Sequence, residues 1–343
     1  MTPNESGSAT SATLAHYSAV TRAAILEHLA EDQPAPYLGE LVGDYPSRGG
    51  KGLRPALLLA TCQAYGRRLE EALPAAASLE MMHNAFLIHD DVEDASRTRR
   101  GAPTLHEMHG IALAVNAGDA LAQRALQPLQ APNLLGSRIT RRPLAELRMV
   151  VRQATEGQAL ELGWRRDGRV DLTDSDYLAL AGKKTCWYTT IAPLRMGSII
   201  GSAGTAELSA LSRFGFYLGL AFQIRDDLMD LQPGPGQSGS DGFPDIAEGK
   251  PTLMLIHLLC HADDRDRSWL VGYLQGADRG SGDEERVLAL MQRYGSLTYV
   301  REYAAQIESA AVQAFEQAFA DVPGSSHRTF VRDLVPYMLA RTT

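Results

Sequence analysis

From Leu14 onward, apolar residues recur at three- and four-residue steps, and Ala, Leu, Glu, Arg and Met dominate the composition, a pattern that predicts α-helices. Runs of alternating β-branched residues bounded by turns are missing, so no extended sheet is expected and the predicted fold class is all-α. Breaks fall near Pro34–Pro36, Tyr45–Gly50, Gly101–Pro103, Pro132–Gly136, Asp167–Asp174, Pro233–Pro244 and Gly276–Gly282, leaving helices long enough for a bundle. Residues 1–13, rich in Ser, Thr, Ala and Gly, are expected to be a mobile tail. No repeat of solenoid period and no clean linker divides the rest, so residues 14–343 are expected to form a single helical domain. The apolar stretches Ile191–Gly204 and Leu253–Leu259 are well short of the ~20 residues of a membrane span and read as buried helices.

Composition narrows the function. A formal charge of -8 with 22% charged residues describes an acidic protein without the basic face of a general nucleic-acid binder, so nucleic acid is not an expected partner. Any anionic ligand must be met locally. Cys62, Cys186 and Cys260 lack metal-type spacing, and the chain starts with no charged-then-apolar leader; reduced thiols and a cytoplasmic location are expected.

The chemistry is concentrated in two acidic segments. His83-Asn-Ala-Phe-Leu-Ile-His-Asp-Asp-Val-Glu-Asp94 places Asp90 and Asp94 four residues apart, on one helix face. His83 falls on the same stripe, with Phe86 one turn below Asp90 and Met82 another turn down. Ala221-Phe-Gln-Ile-Arg-Asp-Asp-Leu-Met-Asp230 repeats the device with Asp226, Asp227 and Asp230. A lone triplet of this kind is more often a solvated acidic patch or a helix end. Two copies, each flanked by apolar helix, point instead to carboxylates held together by cations. All-oxygen ligands favour a hard ion such as Mg2+, which completes its shell with water and phosphate oxygens and so implies a diphosphate.

Counter-charges stand elsewhere in the chain. Arg48-Gly-Gly-Lys-Gly-Leu-Arg-Pro55 offers Arg48, Lys51 and Arg54 beside glycines that permit close backbone approach, an arrangement suited to an anion and otherwise a basic surface turn. Arg99 and Arg100 follow the first acidic helix, while Lys184-Thr185 and Lys250 are further candidates, although an isolated Lys is more often a snorkelling surface residue.

In order, Gly-Gly-Lys51-x-x-Arg54-Pro, Asp90-Asp-x-x-Asp94 with Arg99-Arg-Gly, Lys184-Thr185, Gly219-x-x-Phe-Gln223 with Asp226-Asp-x-x-Asp230, and Glu-Gly-Lys250 resemble the polyprenyl synthetase family over about residues 40 to 340. The resemblance implies an isoprenoid synthase-type bundle around a deep central cavity, usually a homodimer, with the two Asp-rich helices facing each other across its mouth. It implies a Mg2+-dependent prenyltransferase that joins isopentenyl diphosphate to allylic diphosphates. By the same resemblance Asp90, Asp91, Asp94 and Asp226, with Asp227 and Asp230 as direct or indirect contributors, would bind about three Mg2+ ions through the allylic diphosphate. Arg99, Lys184 and Lys250 would contact that diphosphate, with Thr185 beside them. Lys51, Arg54, His83 and Arg100 would hold isopentenyl diphosphate, and Gln223 would support the metal-bound end. One departure is visible: Gly239-Ser240 stands where the family usually has Gly-Lys, so one allylic contact is expected to be missing.

Product length should be set below Asp90, where Phe86, Ala85 and Met82 would form the floor or wall for the growing chain. Short-chain members of the family often carry paired aromatics at the first two of these places. Ala85 here implies a deeper pocket, and geranylgeranyl diphosphate is the expected product, with farnesyl diphosphate as the alternative. A terpene cyclase, an irregular prenyltransferase and a non-catalytic partner subunit are rival readings; the second Asp triplet, the Lys51/Arg54 cradle and the presence of all six aspartates favour the transferase.

Overall fold

The computed structural model describes residues 3–31, 36–130, 136–231, 243–276, 280 and 282–339. Its elements in chain order are α1 (Pro3–Glu31), α2 (Gly39–Ser47), α3 (Leu53–Ala64), α4 (Leu69–Glu93), β1 (Thr98–Arg99), β2 (Ala102–Pro103), α5 (Leu105–His109), α6 (Ile111–Arg124), α7 (Gln127–Gln130), α8 (Gly136–Arg166) and α9 (Asp174–Ala181). A π-helical segment (Gly182–Ile191) follows, then α10 (Ala192–Gly201), α11 (Leu208–Met229), α12 (Pro244–Glu248), α13 (Leu253–His261), α14 (Asp264–Leu274), α15 (Asp283–Arg293), α16 (Ser296–Ala318) and α17 (Ser326–Leu339). The fold is all-α, as the periodicity predicts; among the described residues the two short strands are the whole of the sheet.

The chain divides into two compact units, each assembled from separated segments: residues 1–150, 188–212 and 318–334 in the first, and residues 151–187, 213–317 and 335–343 in the second. In the first unit α3 lies against α10, and Gly197 makes the approach possible, because a Cβ there would come within 2.4 Å of the Leu58 carbonyl oxygen. Helix α4 packs on α3 and α6 and buries Leu79, Met81, Met82, Ala85 and Ile88. It ends at Glu93, where Asp94 turns out of the helix and Ala95 takes a positive φ of 52°. The break at Gly101–Pro103 is a hairpin: Thr98 pairs with Pro103 and Arg99 with Ala102, and Arg100 and Gly101 both take positive φ at the turn, the two-residue geometry that suits twisted strands.

Residues 3–13 differ from the expected tail. They belong to α1, where Thr13 Oγ1 donates to the Ala9 carbonyl and Thr10 is buried. Helix propagates from a nucleus formed by the apolar positions that follow, Leu14, Tyr17 and Ile25.

In the second unit, local caps set the ends of the helices that carry the site. Thr173 and Asp176 cap α9 reciprocally, and Thr252 Oγ1 accepts from the Leu255 backbone N–H to start α13 two residues after Lys250. Lys184 and Thr185 sit in the π-helical segment, a local widening that other proteins often place at functional sites. No helix among the described residues is long and apolar enough to cross a membrane.

Candidate active site

In the first unit the basic residues gather around His83. Arg54 donates from one terminal nitrogen to His83 Nε2 at 3.2 Å and from the other to Thr189 Oγ1 at 3.0 Å, and its guanidinium lies 4.4 Å from the centre of the Tyr188 ring. An arginine can only donate, so Nε2 is the acceptor and Nδ1 carries the hydrogen. Burial, and then Arg54, Arg100 and Arg99, hold the His83 pKa well below the usual imidazole value, so the ring is neutral. His83 Nδ1 and Arg54 Nε are then two buried donors without an acceptor among the described residues. Buried donors are rarely left unmatched, and an anion would match both.

Arg100 joins this cluster through Asn84 Oδ1 at 3.1 Å and the Tyr45 carbonyl at 3.0 Å. Gly50 leaves room for it, since a Cβ there would meet Arg100 at 2.8 Å. Lys51 is exposed beside it in sequence. Arg48, expected to serve the anion with Lys51 and Arg54, is instead consumed by structure. Its Nε pairs with Asp44 at 2.6 Å, and its terminal nitrogens donate to the Arg99 and Pro103 carbonyls at 3.1 and 2.8 Å. Those bonds tie α2 to both strands of the hairpin, and the guanidinium also lies 4.7 Å from the centre of the Tyr45 ring.

The three aspartates of the first triplet separate. Asp90 is partly exposed and lies 3.9 Å from Arg99. Asp91 is fully buried, takes Arg99 Nε at 2.8 Å and a closer contact from the same guanidinium, and accepts the Tyr45 hydroxyl. The turn from α4 into the hairpin brings Arg99 back over Asp91, so the carboxylate predicted as a metal ligand holds the arginine predicted to meet the diphosphate. Asp94, one turn after Asp90, is partly exposed. Below this end of α4, Met82 and Ala85 are buried, while Phe86 is half-buried and meets the Tyr188 ring edge-on at 5.9 Å.

In the second unit a cavity of about 150 Å3 collects the second triplet. Its walls carry the carboxyl groups of Glu161, Asp226, Asp227, Asp230 and Asp245 against the ammonium groups of Lys184 and Lys250. Lys184 Nζ meets Glu161 at 2.7 Å; Lys250 Nζ meets Asp245 at 2.7 Å and Glu248 at 3.4 Å. Burial works against the Lys250 ammonium, but the Asp245 and Glu248 carboxylates outweigh it and hold its pKa above the usual lysine value. Asp227 accepts from Tyr177 Oη at 2.8 Å and Gln223 Nε2 at 2.7 Å, and Gln223 in turn accepts from Thr185 Oγ1 at 2.5 Å. Burial and then the Asp245 charge push Asp227 up to about 8, and the same two causes raise Asp230. A surplus of carboxylates that resist ionisation together is what a bound cation relieves, so the residues fit a hard divalent ion. Among the described residues no group of three or more His, Cys, Asp or Glu side chains is placed to hold a metal ion by itself.

Sequence reasoning missed Tyr45, Asn84 and Tyr188 around the basic cluster, and Glu161, Tyr177 and Asp245 around the acidic cavity. Asp245 had a local signal, five residues before Lys250 in the same motif. The others carry none, because their partners lie far away in sequence. Gly239-Ser240 lies outside the described residues.

Comparison with known proteins follows the same lines. The pattern defining the polyprenyl synthetase family matches residues 35–291. A short chain isoprenyl diphosphate synthase of Methanothermobacter thermautotrophicus is 36% identical over 259 residues, covering 75% of this chain and 77% of that protein. The octaprenyl diphosphate synthase of Escherichia coli is 32% identical over 91% of this chain and 94% of its own. Among solved structures, the geranylgeranyl pyrophosphate synthetase of Pyrococcus horikoshii superposes with a TM-score of 0.84 at 28% identity, over 98% of this chain and 99% of that one. A polyprenyl synthase of Caulobacter crescentus, complexed with calcium and isoprenyl diphosphate, gives 0.81 at 26% identity, over 96% and 98%.

Proposed function

We propose, for a chain that belongs to the polyprenyl synthetase family and is a trans-prenyl diphosphate synthase, that it extends allylic diphosphates with isopentenyl diphosphate and releases geranylgeranyl diphosphate as its main product. The observation that carries the reaction is the acidic cavity of the second unit, where five carboxylates face two lysines. Such a wall suits a diphosphate only when divalent cations lie between them.

Asp226 and Asp230 in the second unit, and Asp90 and Asp94 in the first, are the proposed carboxylates for Mg2+; within the first unit Asp91 steadies Arg99, and within the second Asp227 holds Gln223. Bound Mg2+ supplies electrostatic stabilisation of the charge that grows on the departing diphosphate. Lys184 and Lys250 of the second unit donate to diphosphate oxygens as the allylic C–O bond breaks, with Thr185 held against Gln223, and Arg99 of the first unit is a further proposed donor to a diphosphate. Arg54, His83 Nδ1–H, Arg100 and Lys51 hold the diphosphate of isopentenyl diphosphate, which answers the two unmatched donors. Its double bond attacks the allylic carbon, and the released diphosphate takes the proton lost on closing the new double bond. No protein nucleophile is needed.

For product length the support is Phe86, braced by Tyr188, one turn below Asp90 and next to the small Ala85. A homodimer is proposed as well, supported by Met108, Ile111, Leu113 and Val115, large apolar side chains exposed around the start of α6.

Incubating the protein with Mg2+, labelled isopentenyl diphosphate and, separately, dimethylallyl, geranyl and farnesyl diphosphates tests the reading. Geranylgeraniol as the dominant product after dephosphorylation is the expected result. Farnesol or a longer alcohol keeps the reaction and removes the length assignment; no incorporation from any primer overturns both.

A further inference from the structure

We propose that Arg165, in the last turn of α8, is a positioning residue for the diphosphate site of the second unit: it draws the Glu248 carboxylate away from Lys250 and so leaves the Lys250 ammonium available to a diphosphate. The inference rests on the assignment of Lys250 to the allylic diphosphate. Arg165 belongs to none of the sequence motifs that carry the family resemblance.

The backbone around Lys250 is held, so only its side chain can choose among acceptors. Helix α12 ends at Gly249, whose φ of 68° lets the Gly249 N–H donate to the Ile246 carbonyl at 3.0 Å and the Lys250 N–H to the Asp245 carbonyl at 2.9 Å. From that turn Lys250 Nζ reaches two carboxylates unequally, Asp245 at 2.7 Å and Glu248 at 3.4 Å. The Glu248 oxygen that faces Lys250, Oε2, is also the one that faces Arg165, at 3.7 Å. Both separations exceed the about 2.7–2.9 Å of a charge-assisted hydrogen bond, so Glu248 Oε2 is shared between two cations and closed on neither.

Two cations at one oxygen weaken each other's hold on it. The Glu248 side chain is only 24% exposed, so a carboxylate that lost the Arg165 charge would have little water to turn to and would close on Lys250. A diphosphate would then have to draw Lys250 out of two tight ion pairs, with Asp245 and Glu248, where now there is one. Arg165 exerts this effect from behind the site. Lys250 lines the acidic cavity, while Arg165, Glu248 and Gly249 line a second cavity of about 70 Å3, and Pro251 borders both. The guanidinium therefore acts through Glu248 and not on the diphosphate itself.

The test is a double-mutant cycle on the full chain, with Arg165→Gln, Glu248→Gln and the two combined. Each protein is read by the calorimetric affinity for inorganic diphosphate in Mg2+ and by kcat/KM for the allylic substrate. Arg165→Gln should weaken the affinity and lower kcat/KM by about tenfold each, with KM for isopentenyl diphosphate unchanged. Adding Glu248→Gln should bring both back to within about threefold of the unaltered protein, a rescue that damaged packing would not give. Arg165→Lys keeps the charge and should also stay within about threefold. Equal losses in Arg165→Gln and in the double variant, or no loss in Arg165→Gln, overturn the proposal. The two readouts separate it from the assignment beneath it: the expected cycle in diphosphate affinity with no prenyl transfer upholds the role of Arg165 and removes the reaction, and no diphosphate binding by the unaltered protein overturns both.

Discussion

Removing the Tyr45 hydroxyl takes a donor from a carboxylate that water does not reach, since Asp91 is fully buried and its side chain is held by Tyr45 and Arg99. Tyr45→Phe should cost about 1–3 kcal/mol of stability, read from urea unfolding, because the cost is that of an unmatched buried acceptor. His83 has the opposite dependence on charge: it is buried neutral among arginines, with a folded pKa depressed below that of the unfolded chain. Its contribution to stability is therefore complete above about pH 6.5 and is lost as pH falls from there toward the folded pKa. The unfolding midpoint should drop less between pH 7 and pH 5 in His83→Gln, which can still accept from Arg54, than in the unaltered protein. At Phe86, half-buried against Tyr188, truncation to Ala should shift the products toward longer chains; an unchanged distribution would remove Phe86 as the floor. The aspartates of the two triplets and the lysines and arginines of the basic motifs stand out in the sequence, whereas Asp245 and Glu161 of the cavity do not. The division of labour within a triplet does not show there either, because spacing along a helix cannot tell Asp90 at the surface from Asp91 beneath it.

At the scale of elements, two close approaches control where the cations stand. Arg48 joins α2 to the hairpin that carries Arg99 and Arg100, through bonds to the Arg99 and Pro103 carbonyls. A lysine keeps the charge but not the fork, so Arg48→Lys should raise amide hydrogen exchange over residues 98–103 and lower kcat/KM by roughly tenfold, equivalent to about 1.4 kcal/mol of positioning. In the second unit, α8 lies so near the π-helical segment that a Cβ on Gly157 would stand 2.5 Å from the Lys184 backbone nitrogen. Backbone cannot step aside as a flexible side chain can. Gly157→Ala should therefore cost about 1–3 kcal/mol and move Lys184 away from Glu161, seen as a higher KM for the allylic substrate. The helices themselves were predictable from their three- and four-residue periodicity, and the hairpin break from Gly101 and Pro103. The π-helical turn was not, because its widening depends on what packs around Lys184.

For the whole molecule, the apolar residues exposed on the surface of the first unit carry the prediction. Ile111 is 62% exposed, with Leu113 and Val115 close by in α6, and a charge there should not disturb the core. Ile111→Glu should weaken self-association by roughly tenfold or more, measured by sedimentation velocity across a concentration series; unchanged sedimentation removes this face as the interface. The sequence by itself determined the all-helical class, the two acidic turns and the ordered set of basic motifs, because each depends on residues within one or two turns of each other, where helix geometry dictates the neighbours. Only the tertiary structure decided that Tyr45 reaches Asp91 across 46 positions, that Tyr177 reaches Asp227 across 50, and that Arg48 serves the hairpin 51 residues on. Those partners are chosen by which helix faces pack together. That choice is made by the summed burial of many apolar side chains, and no short stretch of sequence records it.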